Sequence, residues 1–523
     1  MGFLERLLFV LNGSPKRSGR RAYAAAKMGR LPADWISGAT SIDQDIRSGL
    51  VKVRSRARDL SQNNEYVRAY LRAVRKNVVG SEGFKLQVKA MDYKDGEPEP
   101  DQLANSILEN AFYDWGRPQT ATVAGNLSFR KAQEVIVETV ARDGEAFIRL
   151  VRGTNINRYS FSLQLVEPDW IDEKYSTELP NGNIVRMGVE TDAWRRPVAY
   201  HVSQRPKGVD VYGYIVPSGP RTVVPASDMI HVFDPERADQ TRGISWMAPA
   251  MLSLHDLKGY VEGAIINARA GANKLGFFRS PGGDDAYKGD AVDASGNMTV
   301  TCEPGTFEDI GDKEFQGFDP KYPEAQFDPF VKSILRGISS GLGVTFSSLS
   351  NDLTEVNFSS IRAGLLEERE TWKSLQSWFI EMFLDRVYAE WLYMALLSGA
   401  VILPFSKYNK FNAPVWTGRR WSWVKPLEEV KAYQEAVKSG FKSSTQVISE
   451  NGGDIEELYQ ELKAEKKLAA KYGLELEYGG KSDGDQGTPG NPEEGAEPAE
   501  EDVPARPGNG KGGGKDSRSR LLV

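Results

Sequence analysis

Two hydrophobic rhythms divide this chain. Over long stretches apolar residues return every three or four positions, and over short ones they alternate. Val67, Tyr70, Leu71, Val74 and Val78 predict a helix, with Gly80 where a C-cap belongs. Further helices are expected from about Pro100 to Gly116 and from about Lys131 to Arg142. The period then shortens. Ala146–Val151, Phe161–Val166, Val185–Val189 and Val198–Val202 alternate and read as strands, and Asn181-Gly182 is a hairpin signal. Met251, Leu254, Leu257, Val261 and Ile265 restore the helical stripe, followed by the small residues Ala268, Ala270, Gly271 and Ala272. Phe327, Phe330, Val331, Ile334, Leu335 and Ile338 mark another helix. The longest begins near Ser359, with Ser359 or Ser360 as its cap. Ile361, Leu365, Trp372, Leu375, Phe379, Phe383, Val387 and Trp391 carry its stripe toward Leu397, a reach of roughly 60 Å at about 1.5 Å per residue. Two last helices are expected at about Leu427–Ser439 and Gly453–Tyr472.

Between the rhythmic blocks lie segments of another character. Residues 1–35 form a basic arm, 276–322 are rich in Gly, Asp and Pro with short strands near Met298–Thr301, and 476–523 hold almost no apolar residue before Leu521. The segment Phe346 to Asn357 is polar and contains no Lys or Arg. A Gly-flexible turn, an exposed polar loop and a long helix, in that order, hold a loop out on a stiff arm. Together the blocks predict an α+β protein of several modules.

Composition narrows the function. With 523 residues, 40% hydrophobic, the chain is long enough for sizeable cores. A net charge of −6 argues against holding nucleic acid by bulk positive charge, though not against touching it without sticking. Cys302 is the single cysteine, so no disulfide forms within the chain and a reducing setting is expected. The apolar start is broken by Glu5 and Arg6 and followed by its basic residues, which does not read as a secretory signal. The longest apolar candidate, Trp391 to Leu403, falls short of the roughly 20 residues that span a bilayer, so no membrane partner is expected.

The chain holds fragments of catalytic motifs without their settings. Gly337-Ile338-Ser339-Ser340-Gly341 fits a nucleophile elbow but ends an amphipathic helix. His201, His231 and His255 all precede it, whereas that fold places its histidine last. The glycine run Gly508–Lys515 misses the phosphate-loop spacing, and Asp516 stands where Ser or Thr would hold magnesium. His231, Asp234 and Glu236 cluster at a strand end without a second histidine or a cysteine, and read as a turn rather than a metal site. No catalytic residue, metal or cofactor is assigned.

Several segments are recognisable in order. They are Arg56-Ala57-Arg58-Asp59-Leu60 with Asn63-Asn64, Val78-Val79-Gly80 and Arg142-Asp143-Gly144-Glu145-Ala146. Next come His231–Glu236 running into Gln240-Thr241-Arg242-Gly243, then Glu303-Pro304-Gly305. The Gly341–Ser350 stretch, Asn357-Phe358-Ser359-Ser360-Ile361-Arg362-Ala363 and the Trp421–Glu429 run complete the set. This collinear set resembles the lambda-like portal family of tailed bacteriophages over about residues 40 to 460, with Phe358 where the family usually has Tyr.

The resemblance implies a ring-forming portal fold with wing, stem, clip and crown modules and long central helices. On this chain the wing is expected at 36–245, a stem helix at 246–275, the clip at 276–322 and a second stem helix at 323–343. A tunnel loop would follow at 344–358, the long wing helix and return segment at 359–425, crown helices at 426–475 and a tail at 476–523. It further implies a homo-oligomer, typically a dodecamer, at one capsid vertex of a virion assembled in the bacterial cytoplasm. Double-stranded DNA would pass non-specifically, and the terminase large subunit, major capsid protein and head-completion or connector proteins would dock. The loop candidates for the DNA channel are Ser347, Ser348, Ser350, Asn351, Asp352, Thr354, Glu355 and Asn357, with Lys332 and Arg336 as channel-facing stem candidates. Asp352 and Glu355 would repel phosphates. Trp416, Trp421 and Trp423 are candidate subunit contacts. The readings left beside this one are a DNA-packaging enzyme (nuclease or terminase component) and a capsid-associated scaffold or adaptor without a channel.

Overall fold

The computed structural model describes residues 39–94, 97–203, 220–272, 276–279, 291–292, 298–299, 314–317, 324–354, 358–421, 426–451 and 453–474. The basic arm, the tail, Glu355, Asn357, Trp423 and much of the expected clip lie outside them. The chain falls into two compact units, one ending at Gly453 and one starting at Asp454. The second contributes the helix Ile455–Lys471, and the remaining elements belong to the first.

The first helix, α1 (Ile42–Asn63), opens on a capping box in which Ser41 and Gln44 satisfy each other's backbone N–H groups. Apolar periodicity does not announce it. Its buried face is Ile46, Leu50, Arg54, Ala57 and Leu60, so a charged and a small residue interrupt the apolar stripe. Asn64 ends α1 and caps α2 (Glu65–Val74) by accepting from the N–H groups of Tyr66 and Val67. A π turn, Arg75–Val79, extends α2 to Gly80, whose φ of 80° closes it as expected. Helices α3 (Gln102–Trp115) and α4 (Phe129–Asp143) follow, capped by Asp101 and Ser128.

Two antiparallel sheets come next. Strand β1 (Glu145–Arg152) is central in a three-stranded sheet, between β2 (Phe161–Val166) and β8 (Met229–Phe233). The second sheet runs β3 (Thr177–Glu178), β4 (Ile184–Arg186), β5 (Val189–Thr191), β6 (Pro197–Ser203), β7 (Arg221–Pro225), each paired with its neighbour. The Asn181-Gly182 hairpin joins β3 to β4, with Gly182 at φ 85°. The single strand expected at Val185–Val189 is two. Met187 and Gly188 adopt positive φ and fold it into a tight hairpin, because the chain there turns against Ile171.

Helix α5 (Met251–Ala272) matches the expected stripe near its start, where Met251, Leu254 and Leu257 are buried, whereas Ile265 and Ile266 emerge to solvent. The strand pairs Gly276–Arg279 with Glu314–Gly317 and Ala291–Val292 with Met298–Thr299 lie between α5 and α6 (Glu324–Leu342). The polar segment after α6 is not wholly loop, since Phe346–Ser350 forms a short helix that buries Leu349.

The long helix begins at Phe358. Ser359 and Ser360 therefore sit inside its first turn rather than capping it. It runs as α7 (Phe358–Phe379), a π turn (Ile380–Leu384) and α8 (Asp385–Leu397) without a break. Its later half enters the main core, where the Phe112 and Trp391 rings meet edge-on at 4.9 Å and Trp115, Phe129, Phe383 and Tyr388 close the cluster. Trp416 belongs there too. It is 8% exposed and donates its indole N–H to Asp385, so it is a core residue and not the exposed contact expected. Trp421 is half-buried beside Arg369 and Arg419. Between the two last expected helices the chain forms a further one, Ser444–Glu450, with a capping box.

Candidate functional site: the 344–354 loop and its supports

The loop is held by one buried carboxylate on the long helix. Glu368 accepts from the Thr345 hydroxyl at 2.7 Å, the Thr345 N–H at 3.2 Å and the Ser348 hydroxyl at 2.8 Å. Its other oxygen accepts from the Trp372 indole at 3.1 Å. Thr345 also caps the short helix by accepting from the Ser348 N–H. Ser350 donates back to the Phe346 carbonyl, and Asn351 ends the turn at φ 56°. The hydroxyls of Ser348 and Ser350, expected to face a channel, thus first serve to fold the loop onto α7.

Beyond them the loop becomes exposed. Asn351, Leu353 and Thr354 form its outer surface. Leu353, 59% exposed, is not singled out by its sequence, since nothing in its neighbourhood distinguishes it from a core leucine. Asp352 accepts from the Thr354 hydroxyl and N–H and lies 3.2 Å from Lys332. These contacts, the Thr354 hydroxyl first, bring the Asp352 carboxyl down to about 2. Lys332 also pairs with Asp328 at 3.0 Å. The stem candidate and the loop candidate are therefore partners, and the charge of Asp352 is locally balanced. Arg336 lies on the exposed side of α6 with its guanidinium 5.4 Å from the Phe346 ring.

A second constellation fixes the α+β body on which the helix rests. Gly144 sits at φ 95°, and a Cβ there would fall 2.4 Å from the Ile244 carbonyl carbon, so the two backbones touch. That crossing sets Glu145 beside Arg242 and the Gly243 N–H, which donates to it at 3.1 Å. Arg242 grips the carboxylate through Nη2 at 2.6 Å and Nε at 2.9 Å, and it donates to the carbonyls of Ile171 and Met187. Arg54 from α1 adds 2.7 Å and His231 2.9 Å. Glu145 and Arg242 are both fully buried. Burial pushes the Glu145 carboxyl up, but Arg242, the His231 hydrogen bond and Arg54 outweigh it and hold it far below the usual carboxylate range. Burial also pulls His231 below its ordinary value, against the pull of Glu145.

His231 is accordingly a structural partner of Glu145, and Asp234 and Glu236 do not join it. Among the described residues no group of three His, Cys, Asp or Glu is placed to hold a metal. Ser339 is buried inside α6 and donates to the Arg336 carbonyl at 2.9 Å, as a helical serine does.

Residues 28–376 match the family described as phage portal protein, lambda family. That stretch includes both the Glu145–Arg242 crossing and the 344–354 loop. The chain is 30% identical over 469 residues to the probable portal protein of Halomonas phage phiHAP-1, covering 88% of this chain and 89% of that one. It is 22% identical over 469 residues to portal protein B of Escherichia phage lambda, covering 81% and 85%. It also overlays on a chain from the neck of an empty gene transfer agent particle, at 13% identity and a TM-score of 0.41, over 76% of this chain and 93% of that one. The family match and the two phage relatives define a phage portal protein. More narrowly, the chain belongs to the lambda family of phage portal proteins.

Proposed function

We propose that copies of this chain close into a ring, dodecameric in the family's manner, at one vertex of a phage capsid. Double-stranded DNA is packaged and ejected through the central hole. The observation that carries this reading is the family match over residues 28–376, taken with a polar loop that is free of Lys and Arg and mounted on a long helix. Portal proteins are structural components of the particle, and the work assigned to this loop is mechanical rather than catalytic.

In this reading residues 36–245 are the wing, 246–275 and 323–343 the stem helices, 276–322 the clip and 426–475 the crown. The clip meets the terminase large subunit during packaging and the head-completion or connector proteins afterwards, while the wing meets the major capsid protein. Heterologous contacts between identical subunits generate such rings when the rotation closes. Negative-stain images of the purified chain test the proposal. A perforated ring is the expected particle, and a monomer at all concentrations, or a solid body, ends it.

The loop supplies a low-friction lining. Asn351 and Thr354 offer exchangeable hydrogen bonds, and the segment carries no cation to release counterions and grip the duplex. Lys332, beside it on α6, is occupied by Asp352 and Asp328. Asp352→Lys with Glu355→Lys slows packaging on this reading, and an unchanged packaging rate removes the loop from the channel.

A further inference from the structure

The end of the α2 π turn, the start of the strand Lys85–Val88 and the end of the strand Pro414–Thr417 enclose a cleft of about 290 Å³. Among the described residues its charged lining is Lys85, Arg419 and Arg420 against a single carboxylate, Glu82. Glu82 is engaged by Lys85 at 2.7 Å on the exposed rim, which leaves the two arginines without a second acidic neighbour among the described lining residues.

The cleft is built rather than incidental. Gln376, buried on α7, donates its amide to the carbonyls of Asn77 at 3.0 Å, Val78 at 3.2 Å and Arg419 at 3.1 Å, tying both walls to the long helix. Gly80 and Gly83 both hold positive φ, and a Cβ on Gly80 would meet the Arg419 side chain at 2.9 Å. The turn therefore lies as close to the arginine segment as a backbone can. Arg419 is spent on the wall itself, donating to the Lys76 carbonyl at 2.7 Å and to Asn77. Burial, with a smaller contribution from the nearby Arg369 charge, pulls Arg419 below its ordinary pKa. Arg420 is different. It is half-buried, and its Nε is fully covered yet has no hydrogen-bond partner among the described residues. The terminal Nη groups, not covered in this way, remain to meet an oxyanion in the cleft.

We propose that this cleft binds a phosphate oxyanion, with Arg420 as the principal donor and Lys85 as the rim cation. The planar guanidinium fork presents parallel N–H donors that match two oxygens of one phosphate. The excess positive charge suits a phosphate better than a single carboxylate, which sets an acidic peptide second. The same chemistry is offered by the backbone of a duplex and by free phosphate. Where the phosphate is that of a duplex, the inference rests on the portal reading above.

The test uses the full chain as wild type, Arg420→Ala and Arg420→Lys, each first checked for native circular dichroism. Two probes are used, inorganic phosphate followed by its effect on the thermal midpoint, and a short labelled duplex followed by anisotropy across a salt series. Phosphate raises the wild-type midpoint, Arg420→Ala abolishes that rise, and Arg420→Lys restores part of it. Duplex affinity falls about tenfold in Arg420→Ala, and the slope of log affinity against log salt shrinks by about 1. Loss of the phosphate effect with unchanged duplex binding assigns the site to free phosphate. A folded Arg420→Ala that keeps both responses overturns the proposal, as does displacement of the duplex by oligoglutamate but not by phosphate. Native mass measurement of the same samples scores ring formation separately, so failure of the cleft and failure of the portal reading are told apart.

Discussion

Glu145→Ala removes the carboxylate on which two buried arginines converge. Arg242 is left fully buried with its carbonyl partners alone, and Arg54, 2% exposed, keeps only its contact to the half-exposed Asp169 at 2.8 Å. His231 loses its hydrogen bond in the same step. Breaking a buried ion pair by deleting one partner costs about 3–5 kcal/mol, because the remaining charge stays desolvated. Spread over a folded body of roughly 400 residues, at about 2.1 cal/mol/K per residue, that cost lowers the thermal midpoint by roughly 4–6 °C. The fitting control is Asp239→Asn, which removes the charge of the exposed Arg195–Asp239 pair at 2.8 Å while suiting the left-handed backbone there, so the cost stays below about 1 kcal/mol. Both variants are followed by calorimetry and by denaturant melts on the same preparation. If Glu145→Ala shifts no further than Asp239→Asn, the network is not what joins α1 to the sheets and the reasoning fails.

Two other outcomes are expected. Gly144→Ala drives a methyl into the Ile244 backbone at a left-handed position and destabilises the chain by at least about 2 kcal/mol, read as a lowered midpoint or as insoluble product; wild-type stability would show that the two segments part freely. Acidification weakens the fold in two stages. His231 is depressed below its ordinary 6.5, so the unfolded chain takes up a proton that the folded one refuses, and stability declines as pH drops below about 6.5. Glu145 is depressed from 4.5, so its stabilisation is complete above that value and is lost as pH falls toward its folded value. A midpoint that stays flat from about pH 7 to pH 5, or a His231→Gln variant with an unaltered profile, contradicts the first stage.

The helices with unbroken apolar stripes, the Asn181-Gly182 hairpin and the long helix are legible in the sequence because each signal is local. Helix α1 is not, since Arg54 occupies a core position, and a charged residue reads as surface until its partner is known. That partner, Glu145, lies 91 positions away, and Arg242 lies 97 beyond Glu145. Both fall in segments recognisable from sequence, Arg142–Ala146 and Gln240–Gly243, yet nothing in either string says that they touch. The loop shows the same limit. Its polarity and its lack of cations can be read directly, whereas the capture of Asp352 by Lys332 depends on how α6 packs. The half-buried Arg420 gives no signal at all, because an arginine in a tryptophan-rich stretch looks like any solvated charge.

The π turn at Ile380–Leu384 sets the phase of everything that follows it. An α-helix turns about 100° per residue, so one residue more or fewer in those five swings the whole Asp385–Leu397 segment through that angle. Tyr388 and Trp391 would then point away from Phe112 and Trp115, although no side chain had been changed. Length, rather than composition, is the quantity that must be kept there. A relative lacking the extra residue must fill its aromatic core from a different set of positions.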